Sequence, residues 1–141
     1  MKLSARTRYG IAAMTYMHLN DQRLTTLNDI ANHLNVSKIY LEQVFTHLKQ
    51  AELVDAVKGP TGGYFLTEGN CTMYQVLYAL EPTLFEKTPA STDDNSINKA
   101  LCDNVYTLID LTLKDKLSSI KLKDVAKEIK DQNLDAPMYY I

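Results

Sequence analysis

Between residues 26 and 67 the spacing of apolar positions changes from helical to strand-like, and that change sets the expected architecture. Leu27, Ile30, Ala31 and Leu34 follow the i, i+3, i+4, i+7 rule of a helix with one apolar face. After an Asn35-Val36 break, Leu41, Val44, Leu48 and Ala51 predict a second helix with the same rule. Thr26 and Ser37 are N-cap residue types, and Asp29 lies where an approximate capping box needs it. Residues 53–57 and 64–66 are strand-like. Between them Lys58, Gly59, Pro60, Thr61, Gly62 and Gly63 form a turn that no helix accommodates.

The flanks are helical. Residues 3–19 predict a helix with Tyr9, Ala12, Ala13, Tyr16 and Met17 on one face and Asn20 as its stop, and residues 21–23 follow as a short loop. Thr72 and Gln75 form a capping box that opens a helix with Met73, Val76, Leu77 and Leu80 on one face, ended by Pro82. Residues 82–95 hold prolines, hydroxyl residues and acids and predict a flexible loop. A long helix is expected over 96–118. It carries two apolar stripes: Ile97, Leu101, Val105 and Leu108 on one, Cys102, Tyr106, Ile109, Leu113 and Leu117 on the other. Residues 119–130 predict a last helix with Leu122, Val125, Ala126 and Ile129 inward. The tail ends in Met138, Tyr139, Tyr140 and Ile141, an apolar end able to dock on its own or a partner subunit.

A short helix, a tight turn, a second helix with a polar N-terminal face and then a glycine-rich hairpin together predict a winged helix-turn-helix. The fold class is therefore mainly α with one small β-hairpin. Residues 1–81 would be the DNA-binding unit with its following helix, 82–95 a loop, 96–118 a dimerisation helix, and 119–141 a C-terminal helix and tail. A helix is sized for a major groove and a cationic hairpin tip for the neighbouring minor groove.

Composition changes this picture little. The chain has 141 residues, 45% of them hydrophobic, and a net charge of −2. Residues 1–67 carry seven Lys/Arg against five Asp/Glu, and residues 68–141 eight against twelve, so the basic surplus lies in the half that would meet phosphate. Cys71 and Cys102 are the only cysteines, too few for a disulfide framework. The N-terminus lacks the apolar core of a signal peptide and no apolar run approaches a membrane span, so a cytoplasmic protein with no membrane partner is expected.

The chemistry on the exposed faces fits double-stranded DNA. Gln43 can pair bidentately with adenine, a contact worth ~1–3 kcal/mol of discrimination. Ile39 and Tyr40 can press on a thymine methyl, or pack within the domain. Glu42 can accept from cytosine N4 or repel phosphate. Lys38 and His47 share that helix face. Arg6 is either a solvated surface charge or a phosphate contact, and Ser4 beside it is a second candidate contact. On the long helix, two stripes suggest that one packs on its own subunit and the other on a second copy; the alternative is a central helix buried in one chain. The interface candidates are Leu101, Val105, Leu108, Ile109 and Thr112. No nucleophile–base set joins His18, His33 or His47 to a serine or cysteine, so no enzyme is expected.

The segments KLSARTRYGIAAM, YLEQVFTHLKQAELV and KGPTGGYFL resemble the Rrf2 family of bacterial winged-helix transcription regulators, closely over residues 1–81 and more loosely over 96–130. The resemblance implies a homodimer that binds an imperfect palindrome in promoter DNA, and the expected function is that of a repressor. It implies base contacts from Ser37, Ile39, Tyr40 and Gln43, near Glu42, and minor-groove entry by Lys58, Gly59 and Pro60. The family's wing tip usually carries arginine; lysine is more strongly hydrated and discriminates less in a narrow minor groove. Members that hold an iron–sulfur cluster place three cysteines between the helix after the wing and the long helix. Residues 82–101 have none here, so no cluster, metal or other cofactor is expected. A thiol switch at Cys71 or Cys102, a small ligand or a protein partner remains as the signal. Cys102 is the better thiol candidate, near a helix start that favours thiolate, against the alternative of a small buried hydrophobe. The rival function is a winged helix used for protein–protein contact without an operator.

Overall fold

The computed structural model describes residues 1–20, 24–89 and 95–135. Its elements in chain order are α1 (Ala5–Leu19), α2 (Leu27–Leu34), α3 (Lys38–Gln50), β1 (Val54–Val57), β2 (Gly63–Leu66) and α4 (Met73–Leu80). A 3-10 turn (Pro82–Phe85) follows, then α5 (Ser96–Leu101), a π turn (Cys102–Tyr106), α6 (Thr107–Ser119) and α7 (Leu122–Asp135). The expected loop at 21–23, residues 90–94 of the expected loop at 82–95, and the tail from 136 lie outside the described residues.

α1 is the hub, packed against α2, α3, α4, α7 and β2. Its buried face is Gly10, Ala13, Met14 and Met17 with Thr7, whereas Tyr9, Ala12 and Tyr16 are only half-buried. The face is therefore rotated from the expected one. Gly10 is the reason: a Cβ there would collide with the Leu80 side chain and crowd Val44, so the closest helix approach centres on Gly10. Around α1 the core is closed by Ile30, Leu41, Val44, Phe45, Leu48, Val54, Val76, Leu80 and Leu122, all essentially inaccessible to water.

The expected caps form. The amides of Asp29, Tyr40 and Gln75 donate to the hydroxyls of Thr26 (3.2 Å), Ser37 (3.1 Å) and Thr72 (3.2 Å). Thr72 and Gln75 complete both halves of their capping box. Asn35 ends α2 in the left-handed region (φ 55°), which makes the tight turn between the two helices. β1 and β2 pair antiparallel, Val54 opposite Leu66 and Val57 opposite Gly63. Two long-range ties lack any local signal. Thr25 bridges to Tyr64 through two 2.8 Å backbone hydrogen bonds, adding a one-residue third strand to the hairpin. The Met73 amide donates to Ile120 (2.7 Å) and the Leu122 amide to Cys71 (3.0 Å), which ties α7 to the start of α4.

Two expectations need correction. The stretch after α4 is not all loop: Pro82–Phe85 makes a 3-10 turn whose Phe85 ring packs edge-on against Tyr74, with centroids 4.9 Å apart. The long helix is continuous from Ser96 to Ser119 but holds a π turn. There the Thr107 amide donates to Cys102, five residues back, and the Thr107 hydroxyl donates to the same carbonyl at 2.9 Å. The extra residue changes which side chain of the next turn faces inward. Cys102, Tyr106, Asp110, Leu113 and Leu117 are half-buried, while Ile109, expected on that stripe, is 59% exposed.

Candidate nucleic-acid interface

α3 buries Leu41, Val44, Phe45 and Leu48, so its remaining residues must face outward. Lys38, Ile39, Glu42 and Gln43 are exposed together on its first two turns. Ile39 is 71% exposed, which removes the reading that it packs within the domain. An isoleucine left in water at a helix N-terminus is suited to an apolar base edge such as a thymine methyl. Tyr40 divides its roles: half-buried, its ring meets Tyr9 edge-on at 5.7 Å. That contact orients the phenol, and no periodicity within α3 announces it. Ser37 caps α3 through its oxygen, and its hydroxyl hydrogen remains available as a donor.

The wing is positioned from beneath. Phe45 of α3 and Tyr64 of β2 form an edge-to-face pair at 4.7 Å, so the hairpin is fastened to the back of the same helix that presents Gln43. Its tip is a tight turn in which the Gly62 amide donates to Gly59 at 3.0 Å. Gly59 has φ 115°, a region L-residues rarely adopt, and a Cβ on Gly62 would strike the Val57 carbonyl. Both glycines are therefore needed for the turn that leaves Lys58, Gly59 and Pro60 exposed. Lys49 pairs with Asp55 at 3.8 Å, whereas Lys38 and Lys58 have no carboxylate partner among the described residues.

Ser4 and Arg6 flank α3 from α1, and each has work inside the protein. The Thr7 amide donates to the Ser4 hydroxyl (3.2 Å), the Ser4 and Thr7 hydroxyls pair at 2.9 Å, and the Ser4 amide donates to the Glu81 carboxylate at 3.3 Å. Ser4 is thus the cap of α1. Arg6 donates to the Leu80 carbonyl at 3.0 Å and lies 3.5 Å from His47 Nε2. A guanidinium suits the last carbonyl of α4, the negative end of that helix. Its five N–H groups exceed these two contacts, so donors remain on the solvent side. The sequence marked neither Glu81 as a partner of Ser4 nor Leu80 as a partner of Arg6, because nothing local pairs residues so far apart.

The two thiols differ. Cys71 is 2% exposed, and its S–H donates to the Thr72 carbonyl at 3.6 Å. Burial, with the Glu68 charge behind it, pushes its pKa up to about 11, which counts against Cys71 as a thiolate switch. Cys102 is half-buried in the seventh position of the long helix, at the start of the π turn. The dipole argument expected for it does not hold there, because that field fades within the first turn. No group of three or more His, Cys, Asp or Glu side chains among the described residues is arranged to hold a metal. Nor is any described helix long and apolar enough to cross a membrane.

Comparison with known proteins agrees with this geometry. A family model described as "Rrf2: Iron-dependent Transcriptional regulator" matches residues 3–128. A Neisseria meningitidis protein provisionally named an HTH-type transcriptional regulator is 29% identical over 133 residues, covering 91% of this chain and 89% of its own length. Among solved structures, CymR (YrzC), the global cysteine regulator of B. subtilis, superposes with a TM-score of 0.73 at 30% identity, covering 91% of this chain and 98% of CymR. IscR of T. potens gives 0.70 at 27% identity, covering 94% and 90%. With residues 3–128 matched by the family model and these solved relatives covering 91% and 94% of the chain, it belongs to the Rrf2 family and is a DNA-binding transcription regulator of winged-helix type.

Proposed function

We propose that the protein is a homodimeric repressor that reads an imperfect palindrome, with α3 in the major groove and the β1–β2 tip in the adjacent minor groove. The observation that carries this reading is the exposed set Lys38, Ile39, Glu42 and Gln43 lying on the helix to which the cationic Lys58 turn is fastened. Gln43 is the base reader for adenine, Ile39 and the Tyr40 edge meet thymine methyls, and Glu42 rejects mismatched steps. Arg6, Lys38 and Ser37 hold phosphates and fix register. Ser4 acts through the cap that orients Arg6.

The second copy is supported by the arm from Ser96 to Ser119. Ile97, Leu101, Val105, Leu108, Ile109 and Leu111 are all exposed large hydrophobic residues of one helix. A contiguous apolar surface of this kind marks an interaction site, and a two-fold pair of arms would set two α3 helices on successive half-sites.

The family description names iron, and the residues of this chain do not fit a cluster. Cluster iron takes about four thiolates, with histidine sometimes substituting. The chain has two cysteines, one of them buried and held protonated. We therefore read it as a member without a cluster. The test is DNA binding by the purified protein, reduced and oxidised, across genomic fragments that include the DNA upstream of its own gene. One fragment class bound well above the rest, by a dimer without stoichiometric iron and sulfide, is the expected result. Uniform binding to all fragments, or brown protein with a full iron complement, overturns the corresponding part. Oxidant sensitivity that disappears in Cys102→Ser assigns the signal to that thiol.

A further inference from the structure

A cavity of about 320 Å³ lies where the arm meets the winged helix. Tyr74 of α4, Leu84 and Phe85 of the 3-10 turn, and Leu111 and Leu113 of α6 line it. The edge-to-face pair of Tyr74 and Phe85 forms an aromatic wall. Lys87, Lys114 and Asp110 supply its polar groups. The volume is at the lower end of the ~300–1,000 Å³ usual for small-ligand pockets, and an apolar wall with a few convergent polar groups is their usual lining.

The charges are unequal. Lys87 and Lys114 have no carboxylate within ion-pair distance among the described residues. Lys114 Nζ instead stands 5.5 Å from the centre of the Tyr74 ring. Two cations face one aspartate, which leaves room for one added negative charge. A dianion would meet Asp110, and an amine would meet both lysines. The walls ask for a flat or branched apolar body of modest size.

The location joins two functions. α4 forms one wall of the cavity through Tyr74, and its last residue, Leu80, packs beside Gly10 of α1 and Val44 of α3. The same Leu80 carbonyl accepts from Arg6. The opposite wall is α6, which packs on α4 and belongs to the arm. A molecule bound here touches both the reading head and the arm that sets the spacing between reading heads. If it binds one arrangement of α4 and α6 better than another, it biases DNA binding by that difference in affinity.

We propose that this cavity is an effector site for a small apolar monocarboxylate, an aromatic or branched acid whose carboxylate meets Lys87 and Lys114 while its body lies against Tyr74, Phe85 and Leu113. The proposal rests on the reading of the protein as a DNA-binding dimer.

Phenylacetate is the probe, phenylacetamide and phenethylamine its neutral and cationic counterparts. Binding to the full-length protein is followed by calorimetry and by leucine methyl shifts. DNA affinity, measured on the fragment selected above, is compared with and without the probe. Phenylacetate should bind saturably, about tenfold more tightly than the amide, with the amine weaker still. Lys114→Gln should weaken the acid about threefold to fivefold and leave the amide unchanged. Leu113→Trp should abolish binding by filling the space, with circular dichroism confirming that the variant is folded. The probe should change DNA affinity of the wild type at least about threefold and that of Leu113→Trp not at all. No saturable binding, equal binding of acid and amide, or binding that leaves DNA affinity untouched each overturns the effector site. If the protein without any probe prefers no DNA fragment, the regulator reading falls instead, whatever the cavity binds.

Discussion

α3 and the arm carry similar apolar stripes and meet opposite fates. In α3, Leu41, Val44, Phe45 and Leu48 are wholly buried, and the polar residues left over make a coherent exposed face. From Ser96 to Ser119 no residue is fully buried, and Ile97, Leu101, Val105, Leu108, Ile109 and Leu111 are exposed. The winged helix is therefore finished within one chain, its surface free to be specialised. Among the described residues the arm has no such core, and the proposed second copy would supply the missing cover. Stability in the first region comes from a core; in the proposed dimer, stability of the second would depend on concentration through association.

Substitutions that separate the two regions test this contrast. Phe45→Ala removes a fully buried ring from under both α3 and the wing, and should cost ~3–5 kcal/mol in chemical denaturation, with DNA binding lost. Leu108→Asp or Ile109→Asp should do the reverse. Each residue is exposed in the single chain, so the folded monomer should survive, while sedimentation shows loss of the dimer and the specific complex fails with it. A variant that remains dimeric would place the interface elsewhere.

Smaller effects sharpen the division within the reading head. Gln43→Ala should lose ~1–3 kcal/mol of discrimination at one base position. Arg6→Ala should weaken all sequences alike and lower the salt slope by about one. Equal weakening of every site by both variants would remove Gln43 from base reading. Lys58→Arg should tighten binding only where A·T-rich steps flank the half-site, because the less hydrated guanidinium gains most in a narrow minor groove.

The smallest expected effect lies on the far side of α1. Burial lowers the His18 pKa below its ordinary 6.5, and its Nε2 is buried without a hydrogen-bond partner among the described residues. The folded state thus prefers neutral His18, while the unfolded chain protonates it more readily. Its contribution is fully present above pH 6.5 and is lost as pH falls through the depressed folded value. Thermal stability should therefore decline from pH 7 to pH 5, and His18→Gln should flatten that decline.

By itself the sequence determined whatever closes within a few residues. Thr26, Ser37 and Thr72 cap helices because a hydroxyl reaches an amide three positions on. The wing turn follows from two glycines that alone fit its geometry, and the helix-turn-helix follows from apolar spacing. Chemistry on the outer face of α3 was legible for the same reason, since inward spacing dictates what points outward. Tertiary structure decided everything that depends on distant partners. The apolar face of α1 is turned by Leu80 fitting over Gly10. Arg6 is held by a carbonyl seventy-four positions away. Cys71 is sealed in the core that α7 helps to close. At the π turn Asp110 takes the half-buried place expected for Ile109, which stands exposed, because the extra residue changes which side chain of the next turn faces inward. Local rules carry no term for these approaches: their free energy comes from surfaces that meet only after the chain has folded back on itself.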